Sequence, residues 1–276
     1  MYRLEYFAYE NDKHTTKTQG KIMVKDWLKL LHLNGVSLDQ KRALINYFDT
    51  PGGVLSAQPS ELIDVAGIDH KVIAALTRET KLIGSAASAE SIIDAQYQKL
   101  VKMNAEYVGF NDPRYPFLLN QIPSAPLGLF VKGQISLLQT PQIAIVGSRN
   151  PSPSGRRTTV AFASMLSEQG ITITSGMACG IDSDAHQGCL DSKGNTIAVI
   201  GTGLDVIYPR SSNRLYEKIM HAGLMVSEYP FGTPPRKPHF PQRNRIISGL
   251  SLGTLVMEAG MRSGIVQPYV CNFGLV

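Results

Sequence analysis

Five segments in the second half of the chain bring glycine, hydroxyl and charged residues close enough to grip an anion. Gly147-Ser148-Arg149 offers a tight turn, a hydroxyl and a guanidinium fork suited to phosphate. Ser175-Gly176 and Gly180 bracket a small-residue stretch running into Ile181-Asp182, where backbone N–H groups could cradle a phosphate. Gly201 and Gly203 frame a third stretch, with Arg210 and Arg214 shortly after. Residues 236–245 (RKPHFPQRNR) hold Arg236, Lys237, Arg243 and Arg245 with Phe240 among them and no acid. Cations along a backbone and an aromatic face under a base are what single-stranded nucleic acid requires. Glu258 near Arg262 reads as an ion pair or as a catalytic pair. Asp182 and His186 are one helical turn apart, which allows an acid–base or metal pair. No third metal ligand stands at suitable spacing, so a structural hydrogen bond is the favoured use. Neither GxGxxG nor GxxxxGK[ST] occurs. A standard NAD or ATP site is therefore not expected, and neither a cofactor nor a metal is implied.

These segments need elements to position them. From Gln142 the sequence alternates short apolar runs with amphipathic ones. IAIV, ITITS, TIAVIG, LMVSEYP and TLVME read as buried parallel strands. The stretches 155–169, 181–192 and 213–221 read as helices, and a further helix is expected to start at Arg243. This predicts an α/β domain with a doubly wound parallel sheet, whose ligands bind beyond the carboxyl ends of the strands. The five segments all fall there. The proline-rich stretch after the fourth strand is too long for an ordinary connection and is expected to be a binding loop. Residues 105–140 read as a connector whose strands EYVGF and LGLFVKG join the same sheet. Residues 23–104 read as a bundle of short helices, SAM-like or helix–hairpin–helix-like around Leu62–Ile68. Residues 1–22 read as a loose tail.

The composition sets bounds. With 43% hydrophobic and 18% charged residues in 276, the chain can build real cores, and its length suggests two domains. No apolar run reaches membrane-spanning length, and no signal-peptide pattern opens the chain. Cys179, Cys189 and Cys271 are odd in number and lack CxxC spacing, which argues against disulfides and zinc and for a cytoplasmic protein. The net charge of +5 says little by itself. The acid-free stretch 236–245 says more, because it points to a polyanion.

Taken together, GSR at 147–149, SGMACGID at 175–182, GTGLD at 201–205, SEYP at 227–230, FPQRNRIISGLS at 240–251 and EAGMRSG at 258–264 resemble the DNA-processing protein A (DprA/Smf) family. The resemblance implies an extended Rossmann-like domain that binds single-stranded DNA and catalyses no reaction. It implies a homodimer that protects incoming DNA and loads the RecA recombinase during natural transformation. On this reading Arg149 holds a phosphate, and Gly147, Ser148, Ser175, Gly176, Gly180, Gly201 and Gly203 form the phosphate pocket. Lys237, Arg243 and Arg245 track the backbone, Phe240 stacks on a base, and Arg210 and Arg262 are secondary candidates. Residues 265–276 depart from the family pattern, as a frameshift or altered terminus would. Dimer and RecA contacts in the late part of the domain are therefore expected to be weakened. The competing reading is a nucleoside-monophosphate phosphoribohydrolase, with Glu258 acting on the ribose and Arg262 on the phosphate, or a nucleotide sensor using the same pocket.

Overall fold

The computed structural model describes residues 13–258 except 64, 66 and 86. Arg262, Cys271 and the divergent tail lie outside the described residues. The chain forms two compact units, residues 1–97 and 98–276. In the first, α1 (Lys13–His32), α2 (Leu38–Phe48), α3 (Pro51–Ser56), α4 (Pro59–Leu62), α5 (His70–Ser85) and most of α6 (Ala87–Lys102) follow one another. Ser37 starts α2 with a reciprocal cap. Its Oγ accepts from the Gln40 amide at 3.2 Å, and Gln40 Oε1 accepts from the Ser37 amide at 2.9 Å. Trp27, Leu28, Leu30, Leu44 and Ile45 are buried as its core. Burial pushes the Lys41 ammonium down to about 8, and its Nζ donates to the Leu31 carbonyl at 3.0 Å. Residues 13–22 of the expected loose tail 1–22 are helical, because α1 already begins at Lys13, and the rest of that stretch lies outside the described residues. Once the apolar turn at Val24–Leu31 is formed, extending a helix backward adds one bond per residue, and no proline stops it.

The second unit holds β1 (Glu106–Gly109), α7 (Phe117–Asn120), β2 (Gly128–Gly133), β3 (Gln142–Gly147), α8 (Pro153–Glu168), β4 (Thr172–Ser175), α9 (Ile181–Asp191), β5 (Thr196–Ile200), α10 (Asn213–Ala222), β6 (Leu224–Ser227), α11 (His239–Leu250) and β7 (Gly253–Met257). All seven strands form one sheet in the order β1-β2-β6-β5-β4-β3-β7. The five expected parallel strands are parallel. The sheet as a whole is mixed rather than parallel, because β1 and β2 add to it antiparallel. The link between them holds only the one-turn α7, and a parallel return would need a full crossover.

The strand order fixes where a ligand can sit. β3, β4, β5 and β6 lie side by side in chain order, so right-handed crossovers put α8, α9 and α10 on one face. The chain then returns over three strands to lay β7 on the far side of β3, which puts α11 on the other face, packed on α7 and on β3, β4 and β5. Ile145, Ile173, Ala163, Ile181, Ala185 and Cys189 close the core beneath α8 and α9. The direction of travel reverses at β3, and the crevice at such a reversal opens at the carboxyl ends of the strands.

His186 ties α9 to this sheet. It is fully buried, with Nδ1 2.7 Å from Thr196 Oγ1 and Nε2 2.6 Å from the Gly176 carbonyl oxygen. Nε2 donates to Gly176, and Nδ1 pairs with the Thr196 hydroxyl, which also lies 2.8 Å from the Ile173 carbonyl. Asp182 takes no part, so the expected Asp182–His186 pair is replaced by these two partners. Burial, with a smaller push from the Arg243 charge, drives the His186 pKa down to about 4. The unfolded chain therefore takes up this proton first, at about pH 6.5. Stability is full above that pH and is lost as pH falls toward 4. The loss amounts to about 3 kcal/mol at one and a half kcal/mol or so per pKa step. Urea unfolding of the wild type and His186→Gln between pH 7 and 4 should show the wild type losing more stability. Equal slopes for the two would exclude a neutral buried His186.

Candidate functional site

At the carboxyl ends of the strands a cavity of about 110 Å³ is lined by Arg149, Met177, Ala178, Cys179, Ile200, Gly201, Thr202, Tyr208, Pro209, Phe240 and Arg243. Its walls come from the loops after β3, β4 and β5 and from the first turns of α11. Arg149 is exposed. Met177, Ile200 and Thr202 are buried, and the Thr202 hydroxyl is engaged, donating to the Val206 carbonyl at 2.9 Å. The interior is thus largely apolar and aromatic, with two guanidinium groups bordering it.

The loop before α9 is held rigidly. The Ile181 amide donates to the Ser148 carbonyl at 3.1 Å, and Ser183 Oγ donates to the Ala178 carbonyl at 2.8 Å. Gly180 has φ +85°, and a side chain there would strike the Ser148 carbonyl, so only glycine lets the two loops close up. A Cβ at Gly176 would run into the Arg243 guanidinium. Most of the expected phosphate pocket therefore lies behind the cavity and shapes it. Gly201 lines the cavity, whereas Gly147, Ser148, Ser175, Gly176, Gly180 and Gly203 do not. Ser175 is corrected outright as a ligand, because its buried hydroxyl donates to the Ile145 carbonyl at 2.5 Å. The Gly203 amide likewise donates within the protein, to the Thr233 carbonyl at 3.0 Å.

The basic stretch is divided by the fold. It is not one long loop, because α11 starts at His239 rather than at Arg243. Pro241 is tolerated there, since amides of a first helical turn have no intrahelical acceptor to lose. His239 stacks on Tyr229 at 4.1 Å, its Nδ1 donates to the Gly201 carbonyl at 3.0 Å, and the Tyr229 hydroxyl donates to Gln242 at 3.0 Å. Arg236 and Lys237 remain exposed. Arg243 does not track a surface strand, because only 6% of it is exposed. It donates to the Val199 carbonyl, lies 3.5 Å from Asp182 Oδ2, and bonds Asn244 Oδ1 at 3.0 Å. Arg245 is likewise diverted, bound to both Glu228 oxygens at 2.5 and 2.6 Å. A helical period places both arginines against the domain, which a loop reading could not foresee. Arg210 is exposed but does not line the cavity.

The acids near the site are engaged. Burial raises the Asp182 pKa, while Arg243, the Ala178 amide and Arg149 oppose it. Glu258 caps α8, accepting from the Ser152 amide at 2.8 and 3.0 Å and from the Ser152 hydroxyl at 2.8 Å. That is a carboxylate at a positive helix end. Tyr208 joins Phe240 at the cavity with ring centroids 5.4 Å apart. Tyr208 is not among the residues expected from the sequence, although it stands five residues after Gly203 in the same inter-strand loop. Among the described residues no three His, Cys, Asp or Glu could hold a metal, and no helix is long and apolar enough to cross a membrane.

Comparison with known proteins places this geometry. The model of the DNA recombination-mediator protein A family matches residues 106–268. Protein Smf of Synechocystis is 41% identical over 255 residues, which is 90% of this chain and 62% of that protein. The chain thus spans under two thirds of that relative's length. DNA processing protein A from Streptococcus pneumoniae superposes with a TM-score of 0.77 at 34% identity, covering 90% of this chain and 82% of that one. DNA processing protein A from Helicobacter pylori, whose structure was solved to explain its single-stranded DNA binding mode, gives 0.55 at 30%, covering 60% and 74%.

Removing a cation that a buried acid depends on is costly, whereas removing an exposed one is not. Arg243→Ala should lower the unfolding free energy by about 3 kcal/mol, because Asp182 stays buried without it. Lys237→Ala should stay within about 0.5 kcal/mol of wild type. Urea titration monitored by circular dichroism reads both, and an undisturbed Arg243→Ala would contradict a structural role for this arginine.

Proposed function

The chain belongs to the DNA recombination-mediator protein A family, and on that premise we propose that it binds single-stranded DNA at the cavity beyond β5. The observation that carries this reading is the meeting of Arg149 and Arg243 with Tyr208 and Phe240 around one apolar cavity. Phosphate alone would want a polar cradle, whereas Met177, Ile200 and Pro209 suit the flat face of a base. Arg149, exposed at the border, takes the neighbouring phosphate, and Phe240 stacks. Lys237 and Arg236 extend the backbone contacts outward. Arg243 acts from within the cavity wall, and Arg245 acts indirectly by fixing α11 to Glu228. The Helicobacter pylori relative, described for its single-stranded DNA binding, supports the substrate class.

No reaction is assigned to the site. The groups that could move protons have structural uses: Glu258 caps a helix, Asp182 faces Arg243, and His186 is buried between Thr196 and Gly176. The family's description as a recombination mediator supports the further proposal that the bound strand is handed to RecA in the cytoplasm during natural transformation. A homodimer, bringing two cavities to one strand, belongs to the same proposal. The Rossmann-like description fits the parallel part of the sheet and its reversal at β3.

Fluorescence anisotropy of labelled oligo(dT) at several salt concentrations tests the reading. Binding should weaken with salt, at a log–log slope of about −0.7 per phosphate neutralised. Arg149→Ala should weaken binding about tenfold and make the slope shallower by about 0.7. Failure of the folded wild type to bind the oligomer, with saturable binding of a mononucleotide instead, would replace this function with nucleotide sensing.

A further inference from the structure

Tyr208 is a half-exposed tyrosine of the second unit whose ring borders the cavity. Tyr115 and Tyr216 are buried and spend their hydroxyls on the Pro126 and Leu204 carbonyls. Tyr229 lies under His239 and bonds Gln242. Tyr208, by contrast, stands in the loop between β5 and α10 with 46% of its surface exposed, and it lines the cavity. A half-exposed ring at a cavity mouth leaves apolar area uncovered that a flat ligand would bury.

Its neighbour limits what that ligand can do. The rings of Tyr208 and Phe240 have centroids 5.4 Å apart and planes 36° apart. A base sandwiched between two rings needs two stacking gaps of about 3.5 Å each, so none fits between these two. The two rings instead lean on each other, with Tyr208 contributed by a loop independent of α11, so a base can meet only an outer face of the pair. Resting on the DNA reading above, we propose that Tyr208 is a base-stacking residue of the site, which extends the platform of Phe240 to the bound strand. It acts through its ring face and neutralises no phosphate.

That distinction makes the proposal testable. Two ligands are titrated by anisotropy: oligo(dT), and an oligomer of equal length built wholly of abasic sites, which offers phosphates without bases. Tyr208→Ala should weaken oligo(dT) binding about 5- to 150-fold, the range of one lost aromatic stack. It should leave the weaker binding of the abasic oligomer, and the salt slope on both, unchanged. Tyr208→Phe should bind oligo(dT) within about twofold of wild type, because the stacking face is kept. Tyr208→Leu retains an apolar side chain without the aromatic face and should behave like Tyr208→Ala, so a packing defect in the alanine variant does not decide the matter. Wild-type affinity for oligo(dT) in both Tyr208→Ala and Tyr208→Leu would overturn the proposal. So would an equal loss on the abasic oligomer, which would mark a structural role. Failure of the wild type itself to bind oligo(dT) would instead remove the DNA reading beneath it.

Discussion

A guanidinium buried beyond the ends of β4 and β5 is the constraint around which this domain is arranged. Taking a charged group out of water is costly unless partners surround it, and one face of Arg243 is met by each neighbouring element. β5 supplies the Val199 carbonyl, α9 supplies Asp182, and α11 supplies Asn244. The loop after β4 supplies the absence of a side chain at Gly176. Helices on opposite faces of the sheet are thereby joined across the strand ends. The position of the cavity follows, since it is the space these elements enclose on the solvent side of the arginine.

The same arrangement decides what the net charge of +5 can do. Much of the basic complement is neutralised locally. Arg245 faces Glu228, Arg156 faces Asp184 at 3.2 Å, and Arg114 faces Asp112 and Glu106 at 2.8 and 2.7 Å. Arg149, Arg236 and Lys237 are exposed on or after the strand-end loops. A cluster of three or so cations attracts a polyanion over about one Debye length, near 10 Å, rather than across the whole surface. On the proposed reading, recognition would then pass to the cavity and a base would be held there by shape and ring faces, charge bringing the strand in and apolar walls keeping it.

What the sequence disclosed, and what it withheld, follows this division. β3 to β7 are legible because each is a short apolar run, buried on both faces in β4 to β6, and the connector strands because glycine and proline punctuate them. The cavity loops are legible as glycine-bearing turns after strands. The roles inside them are not. Ser175 looks like a phosphate ligand until the register of β4 buries its hydroxyl against Ile145. Arg243 and Arg245 look alike in RKPHFPQRNR, and only the start of α11 at His239 turns one into the cavity wall and the other toward Glu228. Pro241 hides that start, because a proline in a basic, polar stretch reads as loop. Tyr208 is hidden for a different reason: an aromatic residue carries no periodic signal in a loop, and its partner Phe240 is distant in sequence.

A site of this size also limits how tightly one chain can hold DNA. Arg149, Arg236 and Lys237 are exposed while Arg243 faces Asp182, so on the proposed reading about three phosphates is what these cations neutralise, and screening by salt weakens that attraction steeply. On the proposed reading, base–aromatic stacking at the cavity adds about 1 to 3 kcal/mol per base. Affinity well beyond this would need more than one such site on the strand. It can come from joining cavities along one strand. A second site engaged by the same DNA binds at an effective concentration set by the spacing between copies, which multiplies affinity without any new chemistry. The small, rigid, sequence-tolerant cavity is therefore the kind of unit that gains most from repetition, and self-association is the property on which the strength of DNA binding would depend.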